Sequence, residues 1–146
     1  VSDVAEYVAR DVVNRVVGNV DNHGRNTAIQ RRDDGIITLA PVFDFVPMRL
    51  DRRTIAYSTT WTCLKGSGET MNLPKIVEAS ASASGLSVSA LAPRNASQLS
   101  GLRNIHEIAQ TVGVRDDVAR QAISVDKTLL EQLEDIKSFD NGAPHP

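Results

Sequence analysis

The stretch GNVDNHGRN at residues 18–26 decides the fold, together with LAPVFDF at residues 39–45, which follows it after a short hairpin. In kinase-type phosphoryl transfer, one carboxylate accepts the proton of the attacking hydroxyl, and the amide oxygen of a downstream asparagine helps to hold Mg²⁺. A second aspartate, reached later in the chain, binds the metal that bridges the phosphates. Asp21, Asn26 and Asp44 stand in this order, and Asn26 follows Asp21 by five positions.

These segments resemble the motifs of a known family, the HipA-like serine/threonine kinases, which are the toxins of bacterial toxin–antitoxin pairs. The family's catalytic segment reads Gly-Asn-x-Asp-x-His-x-x-Asn, and its metal segment reads Leu-Ala-Pro-x-(Tyr/Phe)-Asp. The resemblance implies that Asp21 is the catalytic base, and that Asn26 and Asp44 bind Mg²⁺ and, through it, ATP. The first motif is also similar to the loop of phosphoinositide-type lipid kinases, and the Leu-Ala-Pro lead-in at residues 39–41 favours the HipA-like family.

Two more side chains of the loop have open roles. The resemblance places His23 where ordinary protein kinases carry a lysine that touches the transferred phosphate, and its ring can bond either that phosphate or the loop backbone. Arg25 either contacts a phosphate of the nucleotide or is a solvated surface arginine. The simpler interpretation of residues 19–24 is a connection between a helix and a strand, because Asn, Asp and Gly favour turns. The second motif argues against it.

The composition predicts one soluble domain. The chain has 146 residues, of which 41% are hydrophobic, and a net charge of -2. This length is sufficient to bury a core. The slightly negative net charge argues against a basic surface for direct binding of nucleic acid. The single cysteine, Cys63, excludes an internal disulfide, so we expect a reducing, cytoplasmic compartment. No apolar run is long enough to span a bilayer, so we expect no membrane partner.

Residue patterning in the first part of the chain predicts a helix and a hairpin. Valines at helical intervals predict a helix over residues 2–17, with Ser2 as its N-cap and Gly18 at its end. The β-prone runs at residues 27–30 and 36–39 flank an Asp-Gly turn, which predicts a β-hairpin. We expect this hairpin to bring the asparagine of the first motif near the aspartate of the second.

The connection after the second motif is irregular in pattern. Residues 55–61 are compatible with an extended run, and Trp61 is predicted to anchor a core or a groove. Arg49, Arg52 and Arg53 are candidates for substrate or phosphate contacts, or else belong to a charged, solvated loop.

The remainder is predicted to be helical. The predicted elements are a helix that starts at Asn72 and ends before Gly85, a short turn at residues 87–91 that ends at Pro93, a helix over residues 99–112 that ends at Gly113, and one or two helices over residues 118–136. The fold class is therefore mainly α with a small β-hairpin.

The resemblance extends this fold class to a protein-kinase-like C-lobe. We predict such a lobe over residues 1–140, with the catalytic loop at 18–26 and the metal-binding segment at 39–45, and a disordered tail at 141–146. The glycine-rich loop and strand lysine that hold ATP in kinases are not recognisable before Asp21. An upstream N-lobe, on this chain or on another, is expected to supply them, so this piece alone is expected to be inactive.

The resemblance also implies partners. These are a protein substrate that offers a hydroxyl, in some members an aminoacyl-tRNA synthetase, and a DNA-binding antitoxin protein as inhibitor. Two alternatives stay open: a non-catalytic, pseudokinase-like interaction module, and a lipid-kinase-like phosphotransferase.

Overall fold

The computed structural model describes residues 1–51 and 59–139. The described residues form six α-helices and one hairpin, which confirms the mainly helical prediction. The predicted extended run at 55–61 lies largely outside the described residues, and so does the predicted tail at 141–146. The elements are α1 (Ser2–Val16), β1 (Ile29–Arg31), β2 (Ile37–Leu39), α2 (Leu73–Ser84), α3 (Val88–Gln98), α4 (Ile105–Thr111), α5 (Asp116–Ala122) and α6 (Lys127–Ser138).

The valine stripe of helix α1 is buried against α2 and α3. Val8, Val12 and Val16 are at most 2% exposed. Burial of each such side chain contributes about 1.5 kcal/mol or more. The prediction that Ser2 caps this helix was wrong, because Val1 occupies the N-cap position and Ser2 is the first helical residue.

The core extends from α1 to the end of the described chain. Helix α2 begins at an asparagine cap, since the Asn72 side chain accepts a hydrogen bond from the backbone N–H of Lys75, and it ends at Gly85 in the left-handed region. Both ends agree with the prediction. Helix α6 packs against α2 and α3 and contributes Leu133 and Ile136, which are at most 1% exposed.

Helix α3 corrects one prediction. The turn predicted at residues 87–91 is the N-terminal part of this helix, which Ser87 caps by accepting a hydrogen bond from the N–H of Ala90. Pro93 lies inside the helix instead of ending the turn. A proline there removes one backbone hydrogen bond. Burial of Leu91 and the neighbouring Ala92 against the core offsets that loss.

A second correction concerns the helix predicted over residues 99–112. Residues Ser100–Asn104 form a 3₁₀ helix, and α4 begins only at Ile105. The prediction of one or two last helices is confirmed as two, α5 and α6. None of the described helices combines the length and the apolar character that crossing a membrane requires.

The β-hairpin is attached to the start of α1 by Asp3. Its Oδ1 accepts hydrogen bonds from Oγ1 of Thr38 at 2.6 Å and from the backbone N–H of Leu39 at 3.4 Å. Both bonds lower the pKa of Asp3 below its ordinary value, and the bond from Thr38 has the larger effect. Strand β2 ends at Leu39, shortly before Pro41, as predicted. The hairpin thereby returns residues 39–45 to the loop that follows α1.

Candidate functional site

The loop that carries the first motif starts with a glycine that no other residue can replace without strain. Gly18 has φ of +75°. A Cβ at this position would lie 2.8 Å from Cβ of Arg49 and 3.0 Å from the carbonyl oxygen of Ala122. The chain therefore turns sharply off α1 while two other segments lie against the turn.

Asn26 and Asp44, the two predicted metal ligands, line the same small pocket of about 20 Å³. A space of this size has room for about one water molecule or one small ion. The Nδ2 of Asn26 donates a hydrogen bond to the carbonyl oxygen of Asp21 at 3.1 Å. Because that bond uses the amide nitrogen, the amide oxygen is the atom of Asn26 that can serve as a ligand.

The backbone at Asp44 adopts an unusual conformation. Its φ is +53°, and it is the only residue other than glycine with positive φ in the part of the chain that the structure describes. Such conformations are costly and concentrate at functional sites. The buried side chain of Asn19 donates to the carbonyl oxygen of Asp44 at 3.3 Å and to Oδ1 of Asn14 at 2.6 Å. The Asp44 backbone is thereby fixed to the first motif, and the residue itself is exposed.

The other predicted site residues do not line this pocket. Asp21 is half-buried, and it contributes its carbonyl oxygen to the bond with Asn26. His23 lines a neighbouring pocket of about 160 Å³, and its Nδ1 is buried without a hydrogen-bond partner. Arg25 is exposed on the short 3₁₀ helix Gly24–Asn26. The roles of all three stay predictions.

Sequence reasoning missed the buried polar residues that support the loop, above all Asp11. This carboxylate lies within the predicted valine helix and forms an ion pair with Arg15. Both side chains are 11% exposed. Burial raises the pKa of Tyr7 above its ordinary value, and the negative charge of Asp11 raises that pKa further. The sequence contained a signal for this residue: Asp11 and Arg15 have opposite charges, lie four positions apart, and interrupt the apolar pattern of the helix.

Trp61, predicted as an anchor, packs against the core and contacts the Tyr7 ring edge-on, with 5.9 Å between the ring centroids.

Arg49 braces the turn after α1. Its backbone N–H donates to the carbonyl oxygen of Gly18 at 2.8 Å, and its guanidinium donates to the carbonyl oxygens of Ala122 and Arg15 at 3.4 and 3.3 Å. These contacts favour a structural role over contact with a phosphate or a membrane. The other two candidate arginines, at positions 52 and 53, lie outside the described residues.

The donor set fits Mg²⁺ better than a metal that needs several strong ligands. Within the described ranges, no group of three or more His, Cys, Asp and Glu side chains is arranged to hold a metal ion. Mg²⁺ usually keeps several waters and is bound through one or two carboxylates together with substrate phosphates. One carboxylate, from Asp44, and one amide oxygen, from Asn26, are compatible with that mode of binding.

Comparison with known proteins identifies the family. The profile of the family described as HipA-like C-terminal domain matches residues 1–128. The chain belongs to this family. The resemblance drawn from the two motifs is therefore confirmed, and the HipA family is generally kinase-related and linked to toxin–antitoxin systems. No curated protein and no solved structure matches the chain.

Proposed function

We propose that this HipA-like C-terminal domain is the C-lobe of a serine/threonine protein kinase, which transfers the γ-phosphate of ATP to a protein hydroxyl. One observation carries the proposal: the asparagine of the first motif and the strained aspartate of the second line one pocket. The Asn19 side chain, which bonds the Asp44 carbonyl, ties the two motifs together across 25 positions of sequence.

Each predicted site residue has a role in this proposal. Asp21 accepts the proton of the attacking hydroxyl. Asn26 and Asp44 hold Mg²⁺, which offsets the charge of the phosphates when it is bound. The bond from Asn26 to the Asp21 carbonyl sets the distance between the base and the metal ligand. In this proposal His23 and Arg25 contact the phosphate groups of the nucleotide.

A second lobe is needed to cover the nucleotide, and the surface around Asp44 suits such a contact. Four large apolar residues flank this aspartate and are between 41% and 48% exposed: Val42, Phe43, Phe45 and Val46. Contiguous exposed apolar surface marks sites of interaction. We assign this surface to the ATP-covering N-lobe, which also supplies the phosphate-binding lysine and glycine-rich loop. The proposal also takes up the partners that the family resemblance implies: a protein substrate in the cytoplasm, an aminoacyl-tRNA synthetase in some members, and an antitoxin protein as the inhibitor.

The direct test is Asp21→Asn in the kinase that includes the ATP-covering lobe. Removal of a general base costs about 10²-fold or more in rate, and this loss is the expected result. Phosphoryl transfer from radiolabelled ATP to a protein substrate, or to the kinase itself, measures it. Asp33→Asn, at the exposed tip of the hairpin, is the matched control and should keep the wild-type rate. A near-wild-type rate in Asp21→Asn would refute the assigned role.

A non-catalytic interaction module is the second candidate, and the same four exposed apolar residues favour it. Such a module needs the exposed apolar surface but no catalytic or metal-binding residues. It therefore predicts that the complete protein binds a partner protein through this surface but shows neither Mg²⁺ binding nor phosphoryl transfer.

A further inference from the structure

Asp11 lies in the middle of α1 and is buried, with 8% of its surface exposed. Its Oδ2 accepts hydrogen bonds from Nε of Arg15 at 3.0 Å and from Nε1 of Trp61 at 2.7 Å. Its Oδ1 accepts a hydrogen bond from Nδ2 of Asn22 at 3.1 Å. One carboxylate therefore joins α1, the segment that contains Trp61, and the loop at residues 18–26.

Asn22, which lies between Asp21 and His23 in the sequence, is held at two points. Its side chain bonds Asp11, and its carbonyl oxygen accepts a hydrogen bond from Oγ1 of Thr59 at 2.8 Å. These two hydrogen bonds restrain the backbone at Asn22. That backbone sets the direction in which the Asp21 side chain points.

We propose that Asp11 is a positioning residue for the catalytic loop: its carboxylate, held by Arg15 and Trp61, fixes Asn22 and through it the direction of Asp21. The inference rests on the proposed kinase function, and Asp11 lies outside both family motifs. Only a small displacement is needed for a large effect, because misplacing a reacting group by about 1 Å can cost about 10²-fold in rate.

Asp11→Asn tests the proposal with almost no change in shape. An amide offers one acceptor oxygen where the carboxylate offers two. If the NH₂ group faces Arg15 and Trp61, these two donors lose their acceptor. If it faces Asn22, the Asn22 amide has to turn over to accept from it, and a charge-assisted hydrogen bond is replaced by a weaker neutral one. We expect kcat of the complete kinase to fall about 10-fold or more, while KM for ATP changes by less than about threefold. An unchanged kcat, or a rise in KM alone, would overturn the proposal.

Asn22→Ala is the second variant, and it spares the buried carboxylate and its bonds to Arg15 and Trp61. It retains these core contacts, so it tests the link even where Asp11→Asn lowers the yield of folded protein. The proposal predicts a similar fall in kcat for Asn22→Ala, and no further fall when both substitutions are combined, because the two side chains act as one unit. Wild-type kcat in Asn22→Ala, or effects that multiply in the double variant, would contradict it.

A spectroscopic measurement separates this inference from the proposed function. Trp61 is the single tryptophan of the chain, so its indole N–H gives one identifiable NMR signal. In the 146-residue chain, which is built around one continuous core, Asp11→Asn should shift this signal and the backbone amide signals of Asp21 and His23. Asp33→Asn, at the hairpin tip, should leave all three in place. If the wild-type protein transfers no phosphate, the proposed function fails. The NMR signals still test whether Asp11 positions the loop. Unmoved loop amides in Asp11→Asn overturn it.

Discussion

At the scale of single residues, Gly18 is the most constrained glycine among the described residues. Its φ is +75°, and a Cβ there would lie within 3.0 Å of both Arg49 and Ala122. We predict that Gly18→Ala destabilises the fold by about 1–3 kcal/mol through backbone strain, with overpacking adding a similar amount. Chemical denaturation followed by circular dichroism measures the change in the free energy of unfolding.

Gly85→Ala is the control for Gly18→Ala. Gly85 also has a positive φ, of +67°, but nothing lies within 4 Å of the position of its Cβ. This variant therefore reports backbone strain alone and should cost less than Gly18→Ala. Equal losses in the two variants would show that the close approach of Arg49 and Ala122 has no energetic consequence.

The residues of the site divide into those that the sequence predicts and those that it does not. Asp21, Asn26 and Asp44 could be proposed from the sequence because their chemistry and spacing recur in two family motifs, and their roles stay predictions. Asp11 and Asn19 could not, because their partners lie far along the chain: Trp61 is 50 positions from Asp11, and Asp44 is 25 positions from Asn19. Periodicity identifies the buried face of a helix, but it does not say which buried polar group has a partner.

At the scale of elements, the hairpin and α1 are joined through Asp3, and this junction predicts a dependence on pH. The bonds from Thr38 and Leu39 lower the pKa of Asp3 in the folded state below its ordinary value of 3.8. The ionised carboxylate therefore contributes to stability above the ordinary value, and the contribution is lost as the pH falls through the lower, folded-state pKa.

Asp3→Asn is predicted to remove this pH-dependent contribution. The stability advantage of wild type over the variant should be full near neutral pH and should shrink below about pH 4. Denaturation at a series of pH values measures the difference in the free energy of unfolding. Thr38→Val, which removes the stronger donor, should reduce the same dependence. A wild-type advantage that is constant from neutral to acid pH would contradict the role given to this contact.

The elements themselves were predicted unevenly, for local reasons. The hairpin could be predicted because the Asp34-Gly35 turn and its flanking strands are determined within a short segment. Helix α3 could not, because Pro93 is a strong local signal for ending a helix. Burial against other helices, which is a property of the tertiary structure, outweighs that signal.

At the scale of the whole molecule, the core continues beyond the part that matches the family. The match ends at residue 128, whereas α6 runs to Ser138 and buries Leu133 and Ile136 in the same core as α1. Leu133→Ala should therefore lower the free energy of unfolding by roughly 2–5 kcal/mol, the usual cost of a cavity in a core. Leu130→Ala, on the half-buried side of α6, should cost less. Thermal unfolding of both variants measures this, and an effect of Leu133→Ala no larger than that of Leu130→Ala would contradict the contribution assigned to Leu133.

The central claim is that Asn26 and Asp44 form the metal half-site of a kinase, and a calorimetric titration tests it most directly. Mg²⁺ with a non-hydrolysable ATP analogue is titrated into the protein that includes the ATP-covering lobe, as wild type and as Asp44→Asn. Asparagine tolerates positive φ well, so the substitution removes the charge with little change in the backbone. We predict Mg²⁺-dependent binding in wild type that weakens by about 10-fold or more in Asp44→Asn. Equal affinity in the two proteins, or no binding in either, would contradict the account.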